Sequence, residues 1–519
     1  MKYIWFTYDG SGLSIAKKLI DEGQTVIVAQ IQNASELHSG KTEEPEDRKK
    51  RLSVFDGMVP KHDAREVLKR MKNMHGKDDW FVIFDLNSLW YYAQIAVKLG
   101  FTNGFFPTEE DTLFEDDRDK GKELVKQYWP DLEVADVQEF KTIEEGIAFL
   151  EQSDDLYVLK ANTEGDLTVV PKGDDPEQSH EALIGALKTN QKEYEKEGYI
   201  LELKIPDPIE ITPQMVFYNG KPVFTDIDIE NKPIGAGSIG NMTGCAGNLI
   251  IQTKMGEKIN KIAFPKKVYE MAAQHPGLFI WDASILIDRR TKQLYFGEFC
   301  PNRWGYDAIF TELEMCGSVS AYFESIVAGK NPLKQKFGVG IRVFNIKKHE
   351  DCDVAVQDEQ GIYFYDVKRE DDHLVTVGSD WNLFVATGAA DTIEEAVDHA
   401  FDRINPDMFT DGYYRPKFDF NSYDYPNSIP QRYAFTNGML FDAPQWRQKP
   451  DRASMKRLID GLQHTLDDHE QEMTTLQERH SKELSEERER SEKSIESVRQ
   501  EKDTELAAIR EEMENILES

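Results

Sequence analysis

Lys160 closes the apolar run YVLK, and the hairpin ANTEGDLTVVP behind it sets Gly165 among small and polar neighbours. A lysine beside a glycine-containing loop outlines a phosphate site: the ammonium meets the charge, and a backbone free of bulky side chains lets amide donors come close. Taken alone, the same lysine is a solvated strand end. Further on, GYILELKIPDPIEI places Glu202 at the close of one apolar run and Glu210 at the start of the next. Carboxylates there can accept from ribose hydroxyls beside an apolar slot for a base; as plain strand residues they would be salt-bridge partners or surface groups. LYFGEFCPNRWGYDA then puts Glu298, Asn302 and Arg303 just after an apolar strand. A carboxylate and an amide oxygen suit Mg2+, which takes hard oxygen ligands and keeps waters. An arginine beside them can offset charge on a phosphoryl group in transfer. Asp282 and Asp288 are weaker oxygen donors on the preceding strand and turn, with Asp288 read as a turn residue. Near the N-terminus, YDGSGLSIA follows a first strand and opens a helix. The amides of Gly10, Ser11 and Gly12 can hold an anion there, although such turns also need glycine for packing alone.

These groups need a scaffold that brings distant segments together. KYIWFTY, SIAKKLIDEG, QTVIVAQIQ, DDWFVIFDL and WYYAQIAVKLG alternate strand-like and helical patterns, which predicts a small parallel α/β domain to about residue 110. Two helices, EDDRDKGKELVKQYWP and TIEEGIAFLEQ, lead into a second domain whose strands are separated by glycine-rich turns. A further mixed segment ends in LFVATGAADTIEEAVDHAFDRI, a strand and then an amphipathic helix with Asp391 or Thr392 as its cap. Pro, Tyr, Asn and Asp crowd residues 406–450, which predicts an irregular segment crossing the surface.

Composition narrows the classes. The 519 residues exceed one ordinary core. A formal charge of -33 opposes a general nucleic-acid surface, because that affinity rests on Lys and Arg neutralising phosphates. No apolar run reaches the roughly 20 residues of a membrane span. The N-terminus lacks the pattern of a secretory signal, so a cytoplasmic protein is expected. Cys245, Cys300, Cys316 and Cys352 have neither metal-ligand nor CxxC spacing and are expected to be reduced. After Gly461 the chain has no Gly or Pro, and its apolar residues follow a broken heptad. This predicts a coiled-coil helix over 451–519, roughly 100 Å long at 1.5 Å per residue, suited to joining copies of the chain.

In this order the motifs resemble the ATP-grasp superfamily, and within it the glycinamide ribonucleotide synthetase (phosphoribosylamine-glycine ligase) family, from residue 1 to about 405. The resemblance implies an α/β (α+β) fold. A Rossmann-like pre-ATP-grasp domain would occupy 1–112, and a two-lobed ATP-grasp domain 113–335 with its hinge near 199–210. A small mixed C-terminal domain at 336–405, a linker at 406–450 and the helix at 451–519 complete the expected order. YVLKAN resembles the phosphate-lysine strand, and YILELKIPDPIEI the hinge, which implies nucleotide contacts from Lys160, Gly165, Glu202, Leu203 and Glu210. GNMTGCAG resembles the substrate loop and keeps Thr243, Gly244 and Gly247. GEFCPNRWG resembles the metal strand with one extra residue, leaving Cys300 or Asn302 opposite the usual asparagine. Asn302 keeps Arg303-Trp304-Gly305 in step, and a thiol is a poor magnesium ligand.

Two departures bear on function. Glu164 and Asp166 stand where the family has a second loop lysine, and TDIDIENKP replaces its basic Gln-Asp-His-Lys-Arg substrate stretch. The resemblance therefore implies an ATP- and Mg2+-dependent (or Mn2+-dependent) ligase with Lys160 and Arg303 in catalysis, acting on a small-molecule carboxylate and amine other than the family's own. Neither nucleic acid nor membrane is expected as a partner. The competing reading is a catalytically degenerate nucleotide-binding or structural module assembled through its coiled coil.

Overall fold

The structure, a computed structural model, describes residues 1–442 except 38–42, 162–167, 172, 174, 207, 301–303, 305, 357, 410 and 424–426. The predicted coiled coil, and the candidates Gly165, Asn302 and Arg303, therefore lie outside the described residues.

The first strand, Lys2–Thr7, is buried along nearly its whole length, as a strand covered on both faces must be. It pairs in parallel with Thr25–Gln30 on one side and Trp80–Phe84 on the other, and Lys61–Asp63 and Gly104–Phe105 extend this N-terminal sheet. Helix Leu13–Asp21 packs Leu13, Ile15, Ala16 and Leu19 inward. Helix Ala64–Lys72 is capped by Asp63, which accepts from the amides of Arg65 and Glu66.

A separate antiparallel sheet of three strands holds Tyr199–Leu203 between Val137–Phe140 and Tyr157–Ala161. Helices Ile143–Leu150 and Pro176–Thr189 cover it, and Leu159, Leu183, Leu187, Tyr199 and Leu201 form its own small core.

The long hairpin Ile209–Tyr218 and Lys221–Glu230 turns at Asn219-Gly220, both at positive φ, the conformation a tight hairpin demands. Around it the strand order runs on without a break. Gly247–Thr253 pairs with Phe337–Phe344, which pairs with Asn382–Ala390, while Leu278–Asp282 links the hairpin to Gly104–Phe105. One mixed sheet thus crosses the three regions that sequence patterning separates. The C-terminal helix begins at Ile393 with Thr392 as its cap.

Residues 406–442 do more than cross a surface. They form the helix Ile429–Thr436, and Phe420, Ile429, Tyr433, Leu440 and Phe441 are buried in the core of the large sheet. Its apolar and aromatic residues, scattered among the Pro, Asn and Asp that predict an irregular segment, are its anchors. All four cysteines are free thiols, Cys245 and Cys316 buried. No helix among the described residues is long and apolar enough to cross a membrane.

Candidate functional site

A cavity of about 750 Å³ opens where the N-terminal sheet, the long hairpin and the C-terminal strands meet. Ser11 and Asp85 come from the first, Asp226, Asp228, Glu230 and Glu298 from the hairpin and its neighbours, and Arg342 and Asn382 from the last.

The glycine-rich turn does not present free amides. Gly10 N–H donates to Thr7 Oγ1 (3.0 Å), Ser11 N–H to Asp9 Oδ1 (2.9 Å) and Gly12 N–H to Asp85 Oδ2 (3.1 Å). Asp85 also accepts from the Trp5 indole at 3.3 Å. A Cβ at position 12 would sit 2.7 Å from the Trp5 ring and 2.8 Å from Asp85. The amides of Gly10, Ser11 and Gly12 are thus taken by Thr7, Asp9 and Asp85, and Gly12 allows close packing against Trp5 and Asp85. Burial, and then the negative charge of Asp9, push the Asp85 carboxyl up to about 8.

Lys160 and Glu202 lie on adjacent strands and form a 2.5 Å ion pair. Glu202 takes a second lysine, Lys122 of helix Arg118–Tyr128, at 2.6 Å. Burial raises the Glu202 carboxyl, but the two ammonium groups outweigh it and hold it below the usual range. The Leu203 amide donates to the Asp136 carbonyl at 2.8 Å. Neither Lys122 nor this strand pairing is signalled by sequence spacing.

Glu210 and Glu298 meet on another cation, Lys232, whose Nζ lies 2.7 Å from Glu210 and 3.0 Å from Glu298. Ser284 Oγ donates to Glu210 at 2.6 Å, and its amide donates to the Glu298 carbonyl at 2.8 Å. Burial alone would lower the Lys232 ammonium, but Glu210, Glu298 and Glu230 hold it well above its ordinary range. Thr243 grips the same residue, donating from both its amide (2.8 Å) and its hydroxyl (2.7 Å) to the Lys232 carbonyl. Gly244 lines the cavity; Gly247 instead opens the strand against Phe420, whose ring would lie 2.5 Å from any Cβ. Asp282 accepts from the Cys300 amide (2.8 Å) and the Tyr306 hydroxyl (3.3 Å). Asp288 accepts from the amides of Arg290 and Thr291, as a turn residue does.

Sequence reasoning passed over Asp226, Asp228 and Glu230. Their alternation with Ile227 and Ile229 in TDIDIE was the available signal: the carboxylates face the cavity and the isoleucines enter the core.

The parallel N-terminal sheet, the separate three-stranded sheet and the long hairpin sheet form a mixed α/β chain with the ATP-grasp fold. No protein-family model matches the sequence and no curated protein matches it. Among solved structures, phosphoribosylamine-glycine ligase from Thermotoga maritima is similar over 80% of this chain and 99% of its own, with a TM-score of 0.53 and 16% identity. Biotin carboxylase from Campylobacter jejuni, in its complex with β,γ-ATP, is similar over 83% of this chain and 96% of its own, with a TM-score of 0.51 and 12% identity. The biotin carboxylase domain of Hydrogenobacter thermophilus 2-oxoglutarate carboxylase, bound to MgADP and bicarbonate, is similar over 78% and 89%, with a TM-score of 0.50 and 13% identity.

Proposed function

We propose that this chain is an ATP- and Mg2+-dependent ligase that activates a carboxylate as an acyl phosphate and passes the acyl group to an amine. The observation that carries the reading is the convergence of Glu210 and Glu298 on one positive centre, Lys232, which lines the cavity with Glu298. The Lys232 ammonium there stands in for a cation, and carboxylate oxygens are the donors Mg2+ prefers. No set of three or more His, Cys, Asp or Glu side chains forms a metal site among the described residues. Glu298 fits an ion that draws its other ligands from Asn302, water and phosphate, with Glu210 close enough to add its charge.

In this reading Glu298 and Asn302 would hold Mg2+ (Mn2+ would also fit), which when bound neutralises charge on the nucleotide phosphates. Lys160 and Arg303 spread charge on the transferred phosphoryl group, Glu202, Leu203 and Glu210 contact the nucleotide, and Gly244 offers its backbone to the acceptor. Thr243 acts indirectly, by fixing Lys232. Residues 1–112, 113–335 and 336–405 work as three functional regions of a cytoplasmic enzyme, and 451–519 joins copies of the chain.

One observation favours the competing reading of a degenerate nucleotide-binding module: Lys232 already neutralises Glu298, and Glu202 already neutralises Lys160. Mg2+-dependent release of ADP from ATP, screened against pooled carboxylates and amines, separates the two. By analogy with the loss of one charge-stabilising donor, about 2.7 to 4 kcal/mol, Lys160→Ala should lower turnover by two to three orders of magnitude. Tight ATP binding without turnover in any pool, or full activity in Lys160→Ala, would sink the assignment.

A further inference from the structure

The cavity wall carries a one-sided hydrogen-bonding demand. Among the described residues lining it, every buried polar side-chain atom left without a partner is an oxygen: both carboxyl oxygens of Asp226, one each of Asp228 and Asp85, and the Ser11 hydroxyl. Asp226, Asp228 and Asp85 are 1%, 4% and 1% exposed. The Gln214 amide, on the strand beside Asp226, donates to Glu312 at 2.6 Å.

Three of the four cations of the same wall are committed to carboxylates. Arg342 grips Asp307 through Nε (3.1 Å) and Nη2 (2.5 Å), and Asn382 through Nη1 (3.1 Å). Arg51 grips Glu43 at 2.6 and 2.9 Å. Lys232 bridges Glu210 and Glu298. Lys348, exposed, approaches only the Ser379 carbonyl at 3.4 Å. Twelve acidic side chains and these four cations line the cavity, and burial favours the neutral form of Asp85, Asp226 and Asp228, which a bound ammonium would reverse. Buried acceptors without donors are costly, and a ligand that supplies donors and positive charge relieves the cost.

Asp226 and Asp228 stand on one face of one strand, about 7 Å apart along it, and Asp85 faces the cavity from a different element. Resting on the ligase reading above, we infer that the amine this cleft accepts is an aliphatic diamine or polyamine, with its ammonium groups held by Asp226, Asp228 and Asp85. A phosphorylated amine would bring more acceptors and more negative charge to a wall that lacks neither.

Calorimetric titration of the full chain, with and without MgADP, tests this using 1,4-diaminobutane, spermidine, n-butylamine and ribose 5-phosphate. The diamine and spermidine should bind about tenfold or more tightly than butylamine, weaken as salt rises, and lose about tenfold or more in Asp226→Asn/Asp228→Asn. Ribose 5-phosphate should not bind. Equal binding of butylamine and diamine, absence of diamine binding in both conditions, or preference for the sugar phosphate overturns the inference. So does unchanged affinity in the double variant. If that variant fails to fold, Asp85→Asn and the ligand series on the native chain decide. Diamine binding without amine-stimulated ADP release would sink the ligase reading and leave this site standing; turnover with an anionic or neutral amine would do the reverse.

Discussion

Replacing Lys232 by Met removes the cation that Glu210 and Glu298 share while keeping most of the stem's packing. Each contact, at 2.7 and 3.0 Å, is worth about 6 kcal/mol in gross attraction at an effective dielectric of 20, most of which desolvation cancels. Removing one partner of a buried pair costs about 3 to 5 kcal/mol, whereas exposed pairs contribute about 0.2 to 1 kcal/mol. The Glu298 side chain is 46% exposed and that of Glu210 24%, so the Glu298 contact belongs near the lower figure and the Glu210 contact between the two. The expected loss is therefore about 2 to 3 kcal/mol without divalent metal, read as a lower urea midpoint. Mg2+ should reverse it. Saturation at a hundredfold excess over Kd contributes about 2.7 kcal/mol, fully available to the variant, while in the native chain the ion must first displace the ammonium. Equal urea midpoints for native and variant without metal, or an equal Mg2+ effect on both, would refute the idea that these carboxylates form a cation site tuned by Lys232.

Asp307 is fully buried beneath Arg342 and also accepts from the Tyr365 hydroxyl at 3.1 Å; Asp307→Ala should cost about 3 to 5 kcal/mol in chemical unfolding by stranding the guanidinium. Gly12→Ala should lower stability by about 1 to 3 kcal/mol, because its methyl must push into Trp5 and Asp85, and thermal unfolding will report it. His275 donates from both ring nitrogens, to Asp111 (2.7 Å) and the Met271 carbonyl (2.9 Å). Burial pulls its affinity for protons down, but Asp111 outweighs that, and the net shift is upward. A raised folded-state value gives stability that is fully present below the unfolded pKa of about 6.5 and fades as pH rises through the folded one. The stability gap between native chain and His275→Gln should accordingly be widest in acid and narrow toward alkaline pH in a denaturation series; a gap that widens with pH would contradict the pairing.

The strands, the glycine-rich turns between them and the helix starting after Thr392 were legible because apolar periodicity and turn residues are local properties. The partners of the polar groups were not legible, because pairing depends on which strands come to lie side by side. Nothing in the spacing of Lys122, Lys160 and Glu202 says that three segments meet in one ion triad, and nothing around Lys232 says that it reaches Glu298 across the cleft. The glycine-rich turn shows the same limit: Gly12 donates its amide to Asp85, which follows another strand and is 73 residues away in the chain. What the sequence did carry, in TDIDIENKP, was a reversal of charge. The structure gives those carboxylates a place: Asp226, Asp228 and Glu230 line the cavity together with Asp9 and Asp85 from the N-terminal region. Carboxylates from separate elements, Asp226 and Asp228 on one strand, Asp85 after another and Glu298 after a third, converge on one cavity, and a ligand that brings positive charge is the partner such a wall fits.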